Sequence, residues 1–290
     1  MYKDTRKKIY EELGEEVSGE ALHIAFKDKG DKQVRKDKWL KSEFDFKRLI
    51  SKFGSFYFAG YEELLKHEIP GQYLFRFVYF CTYIRYNDSR AEFGSIKGEG
   101  RIVKEKDLQE ILGLSQNETI RTKKAWIENG LITIDKNKTI IINPRYAKKG
   151  EMTKKELKGT VRMMELGVKE IYENAKPIEH KRLSLFIKIL PYVNYNYNII
   201  CFNPEEGNKD EIRPMDLKDL CNIAGYDEKN RRKLKNELLK IKVNGSPAIA
   251  ITEIYNGHAI SVNPSIYYRG DNIRAMEWLM VVFNLFDTTK

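Results

Sequence analysis

Apolar and polar positions follow the same order in two parts of the chain. An apolar helix comes first in each part, and the spacing predicts it over 73–86 and again over 183–195. A short helix is then expected to start near Lys106, and its counterpart near Pro214. Proline suits the first turn of a helix because its missing N–H has no partner there in any case.

A tight turn and a longer helix follow in both parts. Gly113 and Gly225 are expected to take the left-handed conformation that ends a helix. Ser115, with Glu118 three residues later, predicts a capping box at the start of the next helix. Asp227 is expected to cap the corresponding helix in the second part.

Each part ends in a predicted β-hairpin. Strands 131–134 and 139–142 flank four polar residues, and strands 248–252 and 258–262 flank a loop with Asn256-Gly257, a strong hairpin signal. Helix, short helix, turn, helix and hairpin is the order of a winged helix-turn-helix. The predicted fold class is α+β, mainly α, with an internal duplication of two winged helix-turn-helix domains and a C-terminal helix.

Short motifs recur in register and support the duplication. The alternative is two unrelated α+β domains of similar composition. The matching pairs are Gly60 with Gly167, residues 83–87 with 192–196, Asp107-Leu108 with Asp216-Leu217, and Asn143-Pro144 with Asn263-Pro264, the last pair followed by Gly150 and Gly270. The expected domains are a charged N-terminal arm (1–54), winged-helix domain 1 (55–150), a helical linker (151–165), winged-helix domain 2 (166–270) and an apolar C-terminal helix (271–290).

Charge narrows the class of partner. The 290 residues carry a net charge of +10 and a pI near 9.2, which favours a polyanion, nucleic acid first and an anionic membrane second. No apolar stretch reaches the length of a spanning helix, so no membrane partner is expected. Three cysteines without CxxC spacing fit a reducing cytoplasm.

The longer helix of the first part offers side chains that recognise bases. Ile120, Trp126, Ile127 and Leu131 are expected to face the core, which leaves a polar outer face. Arginine suits guanine, and asparagine or glutamine suits adenine. The alternative is a polar face without a ligand. The candidate DNA-binding residues are Gln116, Asn117, Arg121, Thr122 and Lys124.

The corresponding helix of the second part is strongly basic. Leu234, Leu238 and Ile241 form its predicted core stripe. Residues 229–242 carry seven cationic side chains against one carboxylate, and like charges at helical spacing repel one another unless a polyanion relieves them. The alternative is a solvated face. The candidates are Lys229, Asn230, Arg231, Arg232, Lys233, Lys235 and Asn236.

The hairpins supply further candidates. Lys136 and Lys138 lie in the first wing, and Asn256 and His258 in the second, where Asn256-Gly257 can equally be turn chemistry alone. The Asn-Pro motifs after the wings are interpreted as structural stops, because proline cannot continue a strand. Four cations after the wings are possible phosphate contacts: Arg145, Lys148, Lys149 and Arg269.

These motifs resemble a known family. The tyrosine-rich helix end, Leu-Gly-Leu-Ser at 112–115, Gly-Leu-Ile at 130–132 and both Asn-Pro motifs with their later glycines look like the winged-helix module of RepL-type plasmid and phage replication initiators. The resemblance covers about 55–150 and 165–270. It implies binding to a replication origin without polymerase or nuclease chemistry, and two modules in one chain look like the tandem winged-helix layout of other plasmid initiators.

Two other function classes stay open at this stage. A transcriptional regulator of phage or mobile-element genes needs the same DNA contacts, and an adaptor would use the winged domains to dock proteins. An enzyme is not expected, since the Walker ending, His-x-x-Arg and paired histidines are all missing. We expect no metal or other cofactor. The expected partners are double-stranded DNA, a second copy through the C-terminal helix, and host replication or transcription machinery.

Overall fold

The computed structural model describes residues 54–94, 100–254, 257–270, 276, 278–281 and 283. All of the expected N-terminal arm except Gly54 lies outside these residues, as do Asn256 and Ile273. Both repeated parts belong to one compact unit that begins at Phe53.

Helices and small antiparallel sheets together confirm an α+β fold. The α-helices with described bounds are α1 Tyr61–Leu64, α2 Gly71–Phe80, α3 Leu108–Leu112, α4 Gln116–Glu128, α5 Lys154–Leu157, α6 Glu165–Glu173, α7 His180–Leu183, α8 Leu185–Lys188, α9 Leu217–Ala224 and α10 Arg231–Leu239. The strands are β1 Phe56–Ala59, β2 Glu92–Phe93, β3 Arg101–Ile102, β4 Ile132–Ile134, β5 Ile140–Ile142, β6 Ala147–Lys148, β7 Val161–Met164, β8 Lys242–Val243, β9 Ser246–Pro247, β10 Ile249–Ile254, β11 Gly257–Val262 and β12 Tyr267–Tyr268.

The same order of elements occurs twice. Helix α2, short helix α3, a turn, α4 and hairpin β4–β5 are followed later by α7 and α8, α9, a turn, α10 and hairpin β10–β11. Gly113 (φ 58°) and Gly225 (φ 73°) take the predicted left-handed conformation at the two turns. The Ser115 hydroxyl accepts from the Glu118 N–H, so the predicted N-cap is confirmed.

The apolar helices and the start of α9 differ from the predictions. Helix α2 ends at Phe80 and tightens into a 3-10 turn, and its counterpart is divided at Ser184. The Ser184 hydroxyl donates to the Lys181 carbonyl at 2.7 Å, which competes with regular helix formation. Pro214 lies before α9 rather than in its first turn, because the Asp216 side chain caps that helix through two backbone N–H groups.

A four-stranded sheet joins the two parts, in the order β12-β7-β1-β6. Its inner strands, β1 and β7, each shortly precede one of the matched glycines Gly60 and Gly167, and they pair antiparallel from Phe56 opposite Met164 to Ala59 opposite Val161. Antiparallel pairing of corresponding strands gives an approximate local twofold axis. Residues 151–165, expected to form a helical linker, instead supply the inner strand β7 as well as the short helix α5. That expectation was wrong because strand pairing with β1 is a long-range interaction.

The repeated motifs contact one another in the fold. A Cβ on Gly60 would lie 2.2 Å from the Arg145 carbonyl oxygen, and one on Gly167 would lie 1.9 Å from that of Ser265. Both glycines therefore let a helix start against the chain that follows an Asn-Pro motif.

The asparagines of the Asn-Pro motifs have matching roles. Asn143 donates its side-chain amide to the Gly130 carbonyl at 2.9 Å, and Asn263 donates to the Pro247 carbonyl at 3.1 Å. Each side-chain oxygen also accepts a backbone N–H two residues later. The interpretation of these motifs as structural stops is confirmed.

Burial of aromatic residues fixes α4 against α2. Trp126 is fully buried, packs edge-on against Phe77 with ring centroids 5.8 Å apart, and donates its indole N–H to the Tyr73 carbonyl at 2.8 Å. In the second part Leu234 and Leu238 are fully buried, and Ile241 is nearly so, as the core stripe predicted.

Two further segments extend the second part. Asn244 and Gly245, both at positive φ, form the turn of an additional hairpin, β8–β9, between α10 and the wing. In the C-terminal region, described helical residues lie between 276 and 283. Met276 and Phe283 are buried within this chain, whereas Trp278 is exposed.

Candidate nucleic-acid interface

The face of α4 that packs against the core is not the one predicted. Thr119, Thr122 and Trp126 are buried, whereas Ile120 is 50% exposed and Ile127 is 43% exposed. The expectation that both isoleucines belong to the core was wrong. The buried positions follow i, i+3 and i+7, so they still lie on one face of the helix.

A buried arginine explains this orientation. Arg76 of α2 is 2% exposed, and its Nη1 donates to the Glu118 carboxylate at 3.0 Å and to the Thr122 hydroxyl at 2.9 Å. Its Nε donates to Nδ1 of His180 at 3.2 Å. A buried guanidinium needs such acceptors, and Thr122 supplies one. Thr122 is therefore removed from the candidate DNA contacts.

The interactions of Arg76 also determine the charge states of Glu118 and His180. The Glu118 side chain binds Arg76 and Arg121 rather than closing the predicted capping box. Arg76 lowers the pKa of the Glu118 carboxyl, chiefly through its hydrogen bond. Burial and the Arg76 charge lower the pKa of His180 to about 4, and its Nδ1 accepts from Arg76 as a neutral ring.

The other predicted residues of α4 lie at the surface. Gln116 and Asn117 are exposed in its first turn. Arg121 is exposed and forms an ion pair with Glu118 at 3.0 Å, and Lys124 pairs with Glu128 at 3.7 Å. Exposed pairs of this kind contribute about 0–1 kcal/mol, so either cation can exchange its partner for a phosphate or a base.

Helix α10 and the turn before it present a strongly basic surface. Among the residues that the structure describes, five cations here form no ion pair. We call these five the α10 basic face: Lys229, Arg231, Arg232, Lys233 and Lys235. All of them are exposed except Lys235, which is half-buried, and the predicted contacts Asn230 and Asn236 are also exposed.

The single carboxylate of α10 has partners outside this face. Glu237 accepts from the Tyr226 hydroxyl at 3.2 Å and lies 3.8 Å from Arg182. Neither partner belongs to the α10 basic face. In the preceding turn, the exposed Asp227 carboxylate accepts the backbone N–H of Lys229 at 2.8 Å, and Glu228 pairs with Lys218.

The described candidate DNA-binding residues of the two wings lie in different surroundings. In the first wing, Asp135 accepts the backbone N–H groups of Asn137 and Thr139, both at 2.8 Å, and leaves Lys136 and Lys138 exposed. The second hairpin forms as predicted, from Ile249 opposite Val262 to Ile254 opposite Gly257. His258 is half-buried on β11, and Asn256 lies outside the described residues.

Most of the cations after the wings have structural roles. Arg269 is buried, donates to the Leu190 and Val193 carbonyls at 3.0 and 2.8 Å, and lies over the Tyr195 ring. Its predicted phosphate contact is therefore wrong. Lys148 pairs with Glu156 and Lys149 with Glu165, whereas Arg145 is exposed.

A groove of about 540 Å³ lies beside α4. Helix α3 and the preceding 3-10 turn form one wall, the first wing forms another, and Ile120 and Gln116 line it from α4. We call it the α4 groove. The sequence interpretation missed its lysines outside the wing: Lys104, Lys106 and Lys123. Their positions in the sequence gave no periodic signal, because three separate segments bring them together.

Other kinds of site are not evident in the described residues. There, no group of three His, Cys, Asp or Glu side chains is placed to hold a metal ion. All three cysteines are free and buried. Within the same ranges, every helix is too short or too polar to cross a membrane. A scan of protein-family models and searches of curated proteins and solved structures returned no significant match.

Proposed function

We propose that this chain is a sequence-specific double-stranded DNA-binding protein with two winged helix-turn-helix modules, acting as a plasmid or phage replication initiator in the cytoplasm. The observation that carries the proposal is the α10 basic face. Five cations without ion pairs in the described structure lie on α10 and the turn before it, and Glu237, the only carboxylate of that helix, contacts Tyr226 and Arg182 instead.

Repulsion within this face favours a polyanionic partner. Like charges at helical spacing destabilise a helix unless counter-charges approach. Phosphates of a duplex supply regularly spaced counter-charges, and their neutralisation releases condensed cations into solution. A helix that follows a left-handed glycine turn also has the position of a recognition helix in a helix-turn-helix.

The two modules have different roles in the proposal. Helix α4 exposes Gln116, Asn117 and Arg121, whose side chains form the hydrogen bonds that distinguish adenine and guanine in the major groove. The α10 basic face supplies affinity that depends little on sequence. Lys136 and Lys138 of the first wing contact the DNA backbone beside α4.

The approximate twofold relation between β1 and β7 supports inverted half-sites. Elements related by such an axis approach a duplex in opposite directions along its length. We therefore propose that α4 and α10 occupy two major-groove segments about one helical turn, roughly 10 bp, apart.

The initiator role rests on the resemblance to RepL-type modules, and transcriptional regulation is the alternative that uses the same contacts. Host replication or transcription machinery would be the further partner in either case. The exposed Trp278 on the C-terminal helical residues is the surface proposed for a second copy. No catalytic step is part of the proposal.

The test is selection of binding sites by the full chain. Duplexes with a random 24-bp centre are incubated with the protein, recovered and sequenced, and the enriched duplex is footprinted. Enrichment of one sequence, protected over two major-groove segments, is expected. Failure to enrich any sequence would contradict the proposal. Capture of genomic fragments then separates the roles: repeated sites in an origin support an initiator, and single sites over promoters support a regulator.

A further inference from the structure

Ile120 lies at an unusual place for a large aliphatic side chain. It is half exposed on the outer face of α4, one turn after Gln116 and next to Arg121 in the sequence. Single exposed isoleucines are common on protein surfaces and need no ligand. This one, however, lines the α4 groove among cationic side chains, which is a more specific environment.

The surroundings of Ile120 select the kind of partner. The groove is also lined by Lys104, Lys106, Lys123 and Lys138, of which only Lys123 forms an ion pair within the described structure, with Glu105. An apolar protein surface would have to remove the other lysines from water without compensation. A duplex compensates them with phosphates and still offers apolar groups in its major groove.

The thymine methyl group is that apolar group. Among the four bases of DNA, only thymine carries a 5-methyl group on its major-groove edge, and aliphatic side chains contact it. Resting on the proposed function, we infer that Ile120 determines specificity by packing against a thymine methyl in the half-site bound by α4. Gln116 and Arg121 then form hydrogen bonds to neighbouring base edges.

Helix α4 contains its own control. Ile127 is exposed to a similar extent, at 43% against 50% for Ile120, but it lies in the last helical turn and does not line the α4 groove. Recognition helices contact bases chiefly with their N-terminal residues. Ile127 is therefore the same residue type on the same helix outside the inferred contact.

The test combines a change in the protein with a change in the DNA. The duplex enriched by the full chain is synthesised with each thymidine replaced in turn by deoxyuridine, which removes only the methyl group. One position is expected to lose about three- to tenfold in affinity, the range for burial of one methyl contact. Ile120→Ala should lose a similar factor on the original duplex and should not distinguish thymidine from deoxyuridine at that position.

The outcomes separate this inference from the proposed function. Ile127→Ala should bind like the unmodified chain and keep its sensitivity to deoxyuridine. If the protein binds its duplex but no deoxyuridine position weakens binding, or if Ile120→Ala keeps that sensitivity, the inference is overturned and DNA binding stands. If no duplex is enriched at all, the proposed function fails and the inference fails with it. Retained helical circular dichroism confirms that the exposed substitutions leave the fold intact.

Discussion

The Nε–H of Arg76 donates to Nδ1 of His180 across 3.2 Å, and these two residues lie 104 positions apart in the sequence. The same guanidinium binds Glu118 and Thr122 on α4. The orientation of α4 is thus connected to α7, which begins at His180, through one buried cation. His180 Nε2 lies 3.3 Å from the Ala175 carbonyl, which fits a neutral ring that donates from Nε2 and accepts at Nδ1.

The neutral state of His180 predicts that the fold becomes less stable in acid. The folded pKa of His180, about 4, lies below its ordinary value of 6.5, so the unfolded chain binds this proton first as the pH falls. The contribution of neutral His180 to the free energy of unfolding is therefore present above pH 6.5, and it is lost as the pH falls from 6.5 towards 4. We expect a loss of at most about 2 kcal/mol in the free energy of unfolding between pH 7 and 5.

Urea unfolding at pH 7 and pH 5 measures this effect. His180→Gln keeps one acceptor and one donor but does not titrate, so it should reduce the difference between the two pH values. An equal difference in the variant and the unmodified chain would mean that other groups cause the acid sensitivity.

Thr122 and Arg121 are neighbours with opposite predicted roles. Thr122→Ala removes an acceptor from the buried Arg76 and should reduce the free energy of unfolding by about 1–3 kcal/mol, while Thr122→Ser should restore most of it. Arg121→Ala should leave stability nearly unchanged and relax the preference at one base position by about 1–3 kcal/mol. Urea unfolding and competition binding test the pair, and a loss of base preference in the stably folded Thr122→Ser variant would contradict the assignment of Thr122.

The α10 basic face should act through salt-dependent affinity. Arg231→Ala combined with Arg232→Ala is expected to weaken specific and non-specific duplexes about equally. It should also reduce the slope of log affinity against log salt by about 2. Lys209→Ala with Arg213→Ala removes the same charge from an exposed loop that also carries Glu205 and Glu206, and it should change neither quantity. A loss confined to the specific duplex would contradict a phosphate-binding role.

The two repeat glycines should respond alike to substitution. A Cβ at Gly60 or Gly167 would overlap a carbonyl oxygen, at 2.2 and 1.9 Å, so alanine at either position should destabilise by about 1–3 kcal/mol. Gly207→Ala is the control, since nothing lies within 4 Å of its added Cβ. Thermal unfolding compares the three variants. A neutral effect at Gly167 with a large one at Gly60 would argue against equivalent roles in the two repeats.

Local signals predicted much of the order of elements. The glycine turns at 113 and 225, the cap at Ser115 and the core stripe of α10 each depend on a few adjacent residues, and each was confirmed. The prediction of which face of α4 is buried was wrong, because that face depends on Arg76, which lies 46 residues before Thr122. Hydrophobic periodicity assigns isoleucine to the core and threonine to the surface. It takes no account of a buried guanidinium, distant in the sequence, that needs a hydrogen-bond acceptor.

Long-range pairing also accounts for the other differences. The expectation of a helical linker at β7 was wrong because the partner strand, β1, lies about a hundred residues earlier. Arg269 follows a wing in the sequence, yet the fold returns it to the Leu190 and Val193 carbonyls. The α4 groove needs three segments at once, so only the three-dimensional arrangement identifies Lys104 and Lys106 as neighbours of Ile120.

In the proposed complex, two surfaces of one chain, α4 and the α10 basic face, bind one duplex. Footprinting of the enriched duplex at low and at high salt tests this arrangement. We expect two protected major-groove segments about 10 bp apart, with protection opposite α10 weakening first as salt rises. A footprint limited to a single half-site, or binding that does not change with salt, would contradict it.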